Sequence, residues 1–166
     1  TTLAGTSEQS LWSGKYTTRK PADGWQNPGF NDHSWKEGEA AFGTMDSEPT
    51  ARTQWGEEHI WVRRIIHITD DLQGRKVYLD YSHDDDAVIY INGIKVVDTG
   101  YAWKKHVVTK LPEEVVATLK PGENLIAASC RNRAHGGLLD FGSAVEKEGQ
   151  RSFVQIARQL SVEIQP

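Results

Sequence analysis

His83, Asp84, Asp85 and Asp86 form one polar run directly ahead of the apolar stretch Ala87-Val88-Ile89-Tyr90-Ile91. Carboxylates on a tight loop suit calcium, the one metal this acidic turn would take; otherwise no cofactor is expected. The run departs from the helix–loop–helix calcium pattern, whose fifth position here is Val88. The other reading is structural: Asp84 and Asp86 would accept hydrogen bonds from free backbone N–H groups of the corner. A second polar cluster, Asn132, His135 and Asp140, surrounds Gly136-Gly137. Carboxylate, amide and imidazole groups can hydrogen-bond sugar hydroxyls, and an aromatic face such as that of Trp103 can pack on a pyranose ring. The candidate ligand-binding residues are therefore His83, Asp84, Trp103, Asn132, His135 and Asp140, expected on loops at one end of the fold.

Nothing in the chain marks a catalytic centre, so no catalytic residue is assigned. There is no Gly-x-Ser-x-Gly elbow, no Ser followed by Lys three residues on and no His-Glu-x-x-His. A zinc-type Cys/His spacing and a phosphate-binding glycine loop are also missing. Cys130 is the single cysteine and lies in an apolar run, so it reads as a buried thiol rather than a nucleophile. Carboxylates are common in the chain, so the fold could bring a glycosidase-like pair together.

The elements that must position these groups are strands. Lys76–Tyr81 alternates polar and apolar residues, Ile60–Ile68 is apolar on both faces, and Asn124–Cys130 reads as a central strand. Asn92-Gly93 is suited to a type I′ hairpin turn, with Ile94–Val97 returning. Strands before, within and after this stretch read as three successive antiparallel strands with tight polar corners. Residues 112–119 are the one helical segment, with Pro112 at its first position and about two turns before Pro121-Gly122. The expectation is an all-β antiparallel sandwich of jelly-roll type with one short helix. It should bury Val62, Leu79, Ile89, Ile91, Ile126 and Ala128. Trp61 reads as core; Trp12, Trp25, Trp35, Trp55 and Trp103 fall in loop or turn context.

The chain has 166 residues and a net charge of −4, enough length for one domain with a core. Its basic residues are scattered, which gives nucleic acid no electrostatic footprint. Arg63-Arg64 and Lys104-Lys105 read as solvated or ion-paired surface charge. No apolar run reaches membrane-spanning length, so membrane insertion is not expected. Residues 1–10 read as a linker or shared strand and 11–145 as the sandwich. Residues 146–166 read as a linker and a strand that would lead into a following domain. A start at Thr1-Thr2-Leu3 suggests a piece of a larger precursor.

Several blocks in order carry a resemblance. They are Trp25-Gln26-Asn27-Pro28-Gly29-Phe30-Asn31-Asp32-His33-Ser34-Trp35, Ala40-Ala41-Phe42-Gly43 and Ile60-Trp61-Val62-Arg63-Arg64. The His-Asp-Asp-Asp corner with Asn92-Gly93, the run Leu119-Lys120-Pro121-Gly122-Glu123-Asn124, and Gly136 to Gly142 complete them. Together they resemble galactose-binding-like jelly-roll domains, as in family-2 glycosidases. The likeness extends most closely to the accessory domain of secreted Bacteroidetes glutaminase-like proteins. Asn31 and His33 depart from the usual opening block. The resemblance implies a non-catalytic accessory domain of an exported, periplasmic or secreted hydrolase. Its partners would be neighbouring domains and a glycan. It implies no catalytic residues. The alternative is a fragment that supplies one wall of a hydrolase active site.

Overall fold

In the computed structural model, which describes residues 2–147, Asn92 (φ 47°) and Gly93 (φ 87°) both hold positive φ. That is the geometry of a type I′ turn, and it joins β8 (Asp86–Ile91) to β9 (Ile94–Asp98) as an antiparallel hairpin. Asn92 also ties the hairpin to its surroundings. Its amide donates to the Thr118 carbonyl and Asn124 Oδ1, both at 3.0 Å, and its Oδ1 accepts from Leu125 N–H at 2.9 Å.

The remaining strands are β1 (Thr2–Ala4), β2 (Ser13–Thr17), β3 (Lys36–Glu39), β4 (Phe42–Gly43), β5 (Thr53–Gln54) and β6 (His59–Ile68). They continue with β7 (Val77–Asp84), β10 (Trp103–Lys110), β11 (Gly122–Arg131) and β12 (Leu138–Val145). One sheet has the order β10-β7-β12-β4-β5, with β1 paired to β12; the other runs β3-β2-β6-β11-β8-β9. All pairings are antiparallel except β4 with β5. The all-β sandwich expected from the sequence is the fold found.

The core lies between the sheets. Val62, Leu79, Ile89, Ile91, Ile126 and Ala128 are all buried there, as their alternation requires. Trp12 adds tilted ring contacts to Phe42 and Phe141, with centroids 5.8 and 4.9 Å away.

Four local expectations are corrected. First, β7 and β8 do not form a hairpin. They belong to different sheets, so the acidic corner is a crossover from one sheet to the other. Both strands present one apolar face to the same core, and alternation alone does not say from which side. Secondly, Trp61 is only half-buried, stacked on His59 at 5.4 Å on the outer face of β6. Its neighbours Ile60 and Val62 take the inner face, while Trp12, Trp35 and Trp55 are buried.

Thirdly, Arg63 and Arg64 are not surface charges. Both are buried, because β6 is covered on one face by the core and on the other by the 18–35 loop. Fourthly, α1 spans only Glu113–Val116, with Pro112 as its N-cap at ψ 151°. Beyond it the chain tightens, with the Thr118 and Leu119 N–H groups donating to the Val115 and Val116 carbonyls at 3.0 Å and the Thr118 hydroxyl sharing the Val115 carbonyl at 2.7 Å. Val115 and Val116 are its buried anchors. The strand expected in 153–164 lies outside the described residues.

Candidate functional site

Asp84, the last residue of β7, sits between two strand beginnings. Its register partners are Trp103 of β10 on one side and Leu138 of β12 on the other. The 132–137 loop approaches the same end of the sandwich, with His135 at φ 63°. These elements enclose a small open cleft of about 190 Å³ lined by Asp84, Asp85, Tyr101, Trp103, Ala134 and His135. Three of the six sequence-derived candidates, Asp84, Trp103 and His135, therefore meet in one cleft.

The cleft has an aromatic rim. Tyr101 and Trp103 are 57% and 63% exposed, unusual for rings of this size, and they meet edge to face at 5.7 Å. The Arg133 guanidinium lies over the Tyr101 ring at 4.9 Å and forks onto both Asp86 oxygens at 2.8 Å. That pair holds the Asp86 carboxyl below its ordinary range. Asp85 is buried, and its carboxylate accepts the Arg133 backbone N–H at 2.7 Å. Its own N–H donates to the Arg131 carbonyl at 3.1 Å. Asp85 and Asp86 both hold the corner through Arg133, and a backbone hydrogen bond to the Asp86 carboxylate adds to this.

His83, Asn132 and Asp140 stand apart from the cleft lining. His83 is buried behind the corner, its Nδ1 at 2.5 Å from the Asp85 carbonyl. Asn132 shapes the loop by donating to the His135 carbonyl at 2.8 Å. Asp140 is buried and fully occupied by Ser7 and Trp12, so its carboxylate is a structural hub. Gly137 belongs to the frame as well: a Cβ there would come within 2.7 Å of the Trp55 ring. The sequence reading missed Tyr101 and Arg133, and placed Asp85 in the acidic run without giving it a part in a ligand site. The i, i+2 spacing of Tyr101 and Trp103 was the available signal, since it sets two rings on one side of an extended chain.

Asp84 differs from the other carboxylates of the corner. Burial raises its pKa from 3.8 to about 7. A hydrogen bond to the Asp85 side chain and the charges of Asp85 and Glu48 act in the same direction, against Lys105. Asp84 can thus donate a hydrogen bond in mildly acidic solution and accept one above neutrality. Cys130 cannot act as a nucleophile here, because burial pushes its thiol far up. Among the described residues no group of three or more His, Cys, Asp or Glu is arranged to hold a metal.

A pH prediction follows from Asp84. The folded state keeps this proton up to about pH 7, whereas the unfolded chain releases it near 3.8. Its stabilising contribution is therefore complete below about 3.8 and is lost as pH rises towards about 7. Asp84→Asn, neutral at every pH like the protonated carboxyl, should match wild type in Tm near pH 3.8, become the more stable of the two as pH rises to about 7, and hold a flat gap above that. A difference independent of pH would refute the assignment. The calcium reading predicts another signature: EDTA lowers Tm and added calcium restores it.

No protein-family model matches the chain, and no curated protein matches it. Solved structures do. A glycosyl hydrolase family 2 member from Bacteroides cellulosilyticus aligns over 81% of this chain with a TM-score of 0.59 and 16% identity. A β-glucuronidase from glycoside hydrolase family 2 aligns over 86% with a TM-score of 0.55 and 18% identity. The Bacteroides uniformis β-glucuronidase aligns over 81% with a TM-score of 0.55 and 14% identity. The chain spans only 20%, 18% and 18% of those larger proteins. At such identities the likeness is one of fold: this sandwich corresponds to about a fifth of each of these glycosidases.

Proposed function

We propose that this chain is a non-catalytic accessory domain of a larger, exported hydrolase of glycosidase-like or glutaminase-like type. Its role is to brace neighbouring domains and to hold carbohydrate weakly at the Tyr101–Trp103 cleft. The observation that carries the reading is the division of labour at the acidic end. Asp85, Asp86, His83 and Asp140 are consumed by the frame, whereas two exposed rings flank the half-buried Asp84. Rings offer a face to pyranose C–H groups, and Asp84 and His135 offer hydrogen bonds to hydroxyls. A cleft this shallow supports affinity of roughly millimolar, about −4 kcal/mol. The fold shared with part of several glycosidases supports the larger parent.

The isolated chain should hydrolyse neither glutamine nor aryl glycosides above buffer. In affinity electrophoresis through neutral polysaccharide gels, Trp103→Ala should abolish retardation while leaving stability within about 0.5 kcal/mol, as an exposed substitution does. Retardation that survives Trp103→Ala, or turnover that a single substitution removes, would sink the reading.

A second reading is favoured by the protonation of Asp84 near neutrality, the range a proton-transfer group needs. In it, this end of the sandwich forms one wall of the parent's active site. Asp84→Asn in the intact parent would then lower kcat. In the accessory reading it leaves kcat unchanged.

A further inference from the structure

The 18–35 loop, between β2 and β3, is nailed to the outer face of its sheet by Arg63. That guanidinium bonds Asp32 at 2.9 Å and the carbonyls of Trp25, Asn27 and Phe30. The flank of this loop holds two adjoining clefts of about 620 and 440 Å³, which share Thr17, Arg19, Ser34 and Trp35. Both volumes fall in the range of small-molecule sites, and neither cleft shares a lining residue with the one at the acidic corner.

Their charge runs against that of the molecule. The chain carries −4 overall, yet Arg19 and Lys36 line the larger cleft and Arg19 and Lys20 the smaller. Among the described residues, none of these three side chains is recorded in an ion pair. The one carboxylate in the lining, Glu57, accepts its neighbour Gly56 N–H at 3.1 Å. Tyr16 and Phe30 supply half-buried ring surface, and Phe30 meets the buried Trp35 edge to face at 5.8 Å. Thr17, Ser34 and Gln54 add neutral hydrogen-bonding groups.

We propose that these joined clefts bind an anionic oligosaccharide, its carboxylate or sulfate groups meeting Arg19 and Lys36. A guanidinium presents a planar fork to an oxyanion, and an ammonium adds a point charge. Hydroxyls suit the neutral groups, and ring C–H faces suit the aromatic surfaces. A nucleic acid would call for a longer basic track than three cations provide. The site is independent of the Tyr101–Trp103 cleft, so each can fail without the other.

Calorimetric titration decides it, with a uronic-acid oligomer, a sulfated oligomer, a neutral oligomer of equal length, inorganic sulfate and a single-stranded oligonucleotide. Either acidic oligomer should bind at least tenfold tighter than the neutral one, and added salt should weaken it. Which of the two is tighter identifies the anionic group. Arg19→Gln and Lys36→Gln should each cut that affinity about tenfold with unchanged Tm, as expected for losing one charge-assisted hydrogen bond. Trp103→Ala should leave it intact. Equal binding of the neutral oligomer, no response to Arg19→Gln and Lys36→Gln, or no binding at millimolar ligand would overturn the proposal. Tighter binding of the oligonucleotide, or sulfate alone matching the oligomers, would do the same.

Discussion

Replacing Asp140 by Ala should destabilise the domain by about 3 kcal/mol or more, the cost of leaving several buried donors unpaired at once. Its carboxylate accepts the Ser7 N–H at 3.0 and 3.2 Å, the Ser7 hydroxyl at 2.7 Å and the Trp12 indole N–H at 3.0 Å. Removing it strands those donors in the interior, where an unmet polar group costs about 1–3 kcal/mol. It also strips the nearby compensating charge from Arg64. That guanidinium is buried over the Trp12 ring at 4.3 Å and donates to the carbonyls of Gly5 at 2.8 Å and Phe141 at 2.7 Å. Burial lowers the Arg64 pKa to about 10, against the pull of Asp140, so it is still charged at neutral pH. The network links β6 of one sheet to β12 of the other and to the segment after β1. Urea unfolding should show a fall in midpoint with little change in slope. A loss below about 1 kcal/mol would mean that water takes over the role of Asp140.

Arg63→Ala should cost a similar amount, about 3–5 kcal/mol. Arg63 is 3% exposed and carries the 18–35 loop through Asp32 and three carbonyls. Its guanidinium also lies 5.4 Å from the Phe30 ring centroid. The local consequence separates this variant from Asp140→Ala. Limited proteolysis should cut first within 18–35, because Arg63 is what gathers the Trp25, Asn27 and Phe30 carbonyls onto the sheet. Arg63→Lys should recover little, since one ammonium cannot reach a carboxylate and three carbonyls as a fork does. Cleavage elsewhere first, or full rescue by Lys, would contradict this role.

The strands were legible because alternation is a local property. Val62, Leu79, Ile89, Ile91, Ile126 and Ala128 announce their inner faces without knowledge of the partner strand. Asn92-Gly93 announced its turn through backbone conformation alone. What stayed illegible depends on partners far away in sequence. Whether β7 and β8 share a sheet is decided by β11 and β12, which each pairs with. Arg63 and Arg64 look like surface charge until the 18–35 loop and the segment after β1 fold over them. Asp140 looked like a ligand group for the same reason, since Ser7 lies 133 residues away. The cleft was partly legible: Asp84, Trp103 and His135 were named, but Tyr101 and Asp85 join them only through the register of β10 and the crossover.

The most direct test of the central claim is an NMR titration of the ¹⁵N-labelled chain with galactose, glucose and mannose oligomers. The account predicts saturable shifts at millimolar sugar, confined to the Trp103 indole N–H and the backbone of Tyr101, Asp84, Asp85, Ala134 and His135. Trp103→Ala should erase them. An unmoved spectrum at millimolar ligand, or shifts confined to residues away from this cleft, would contradict it.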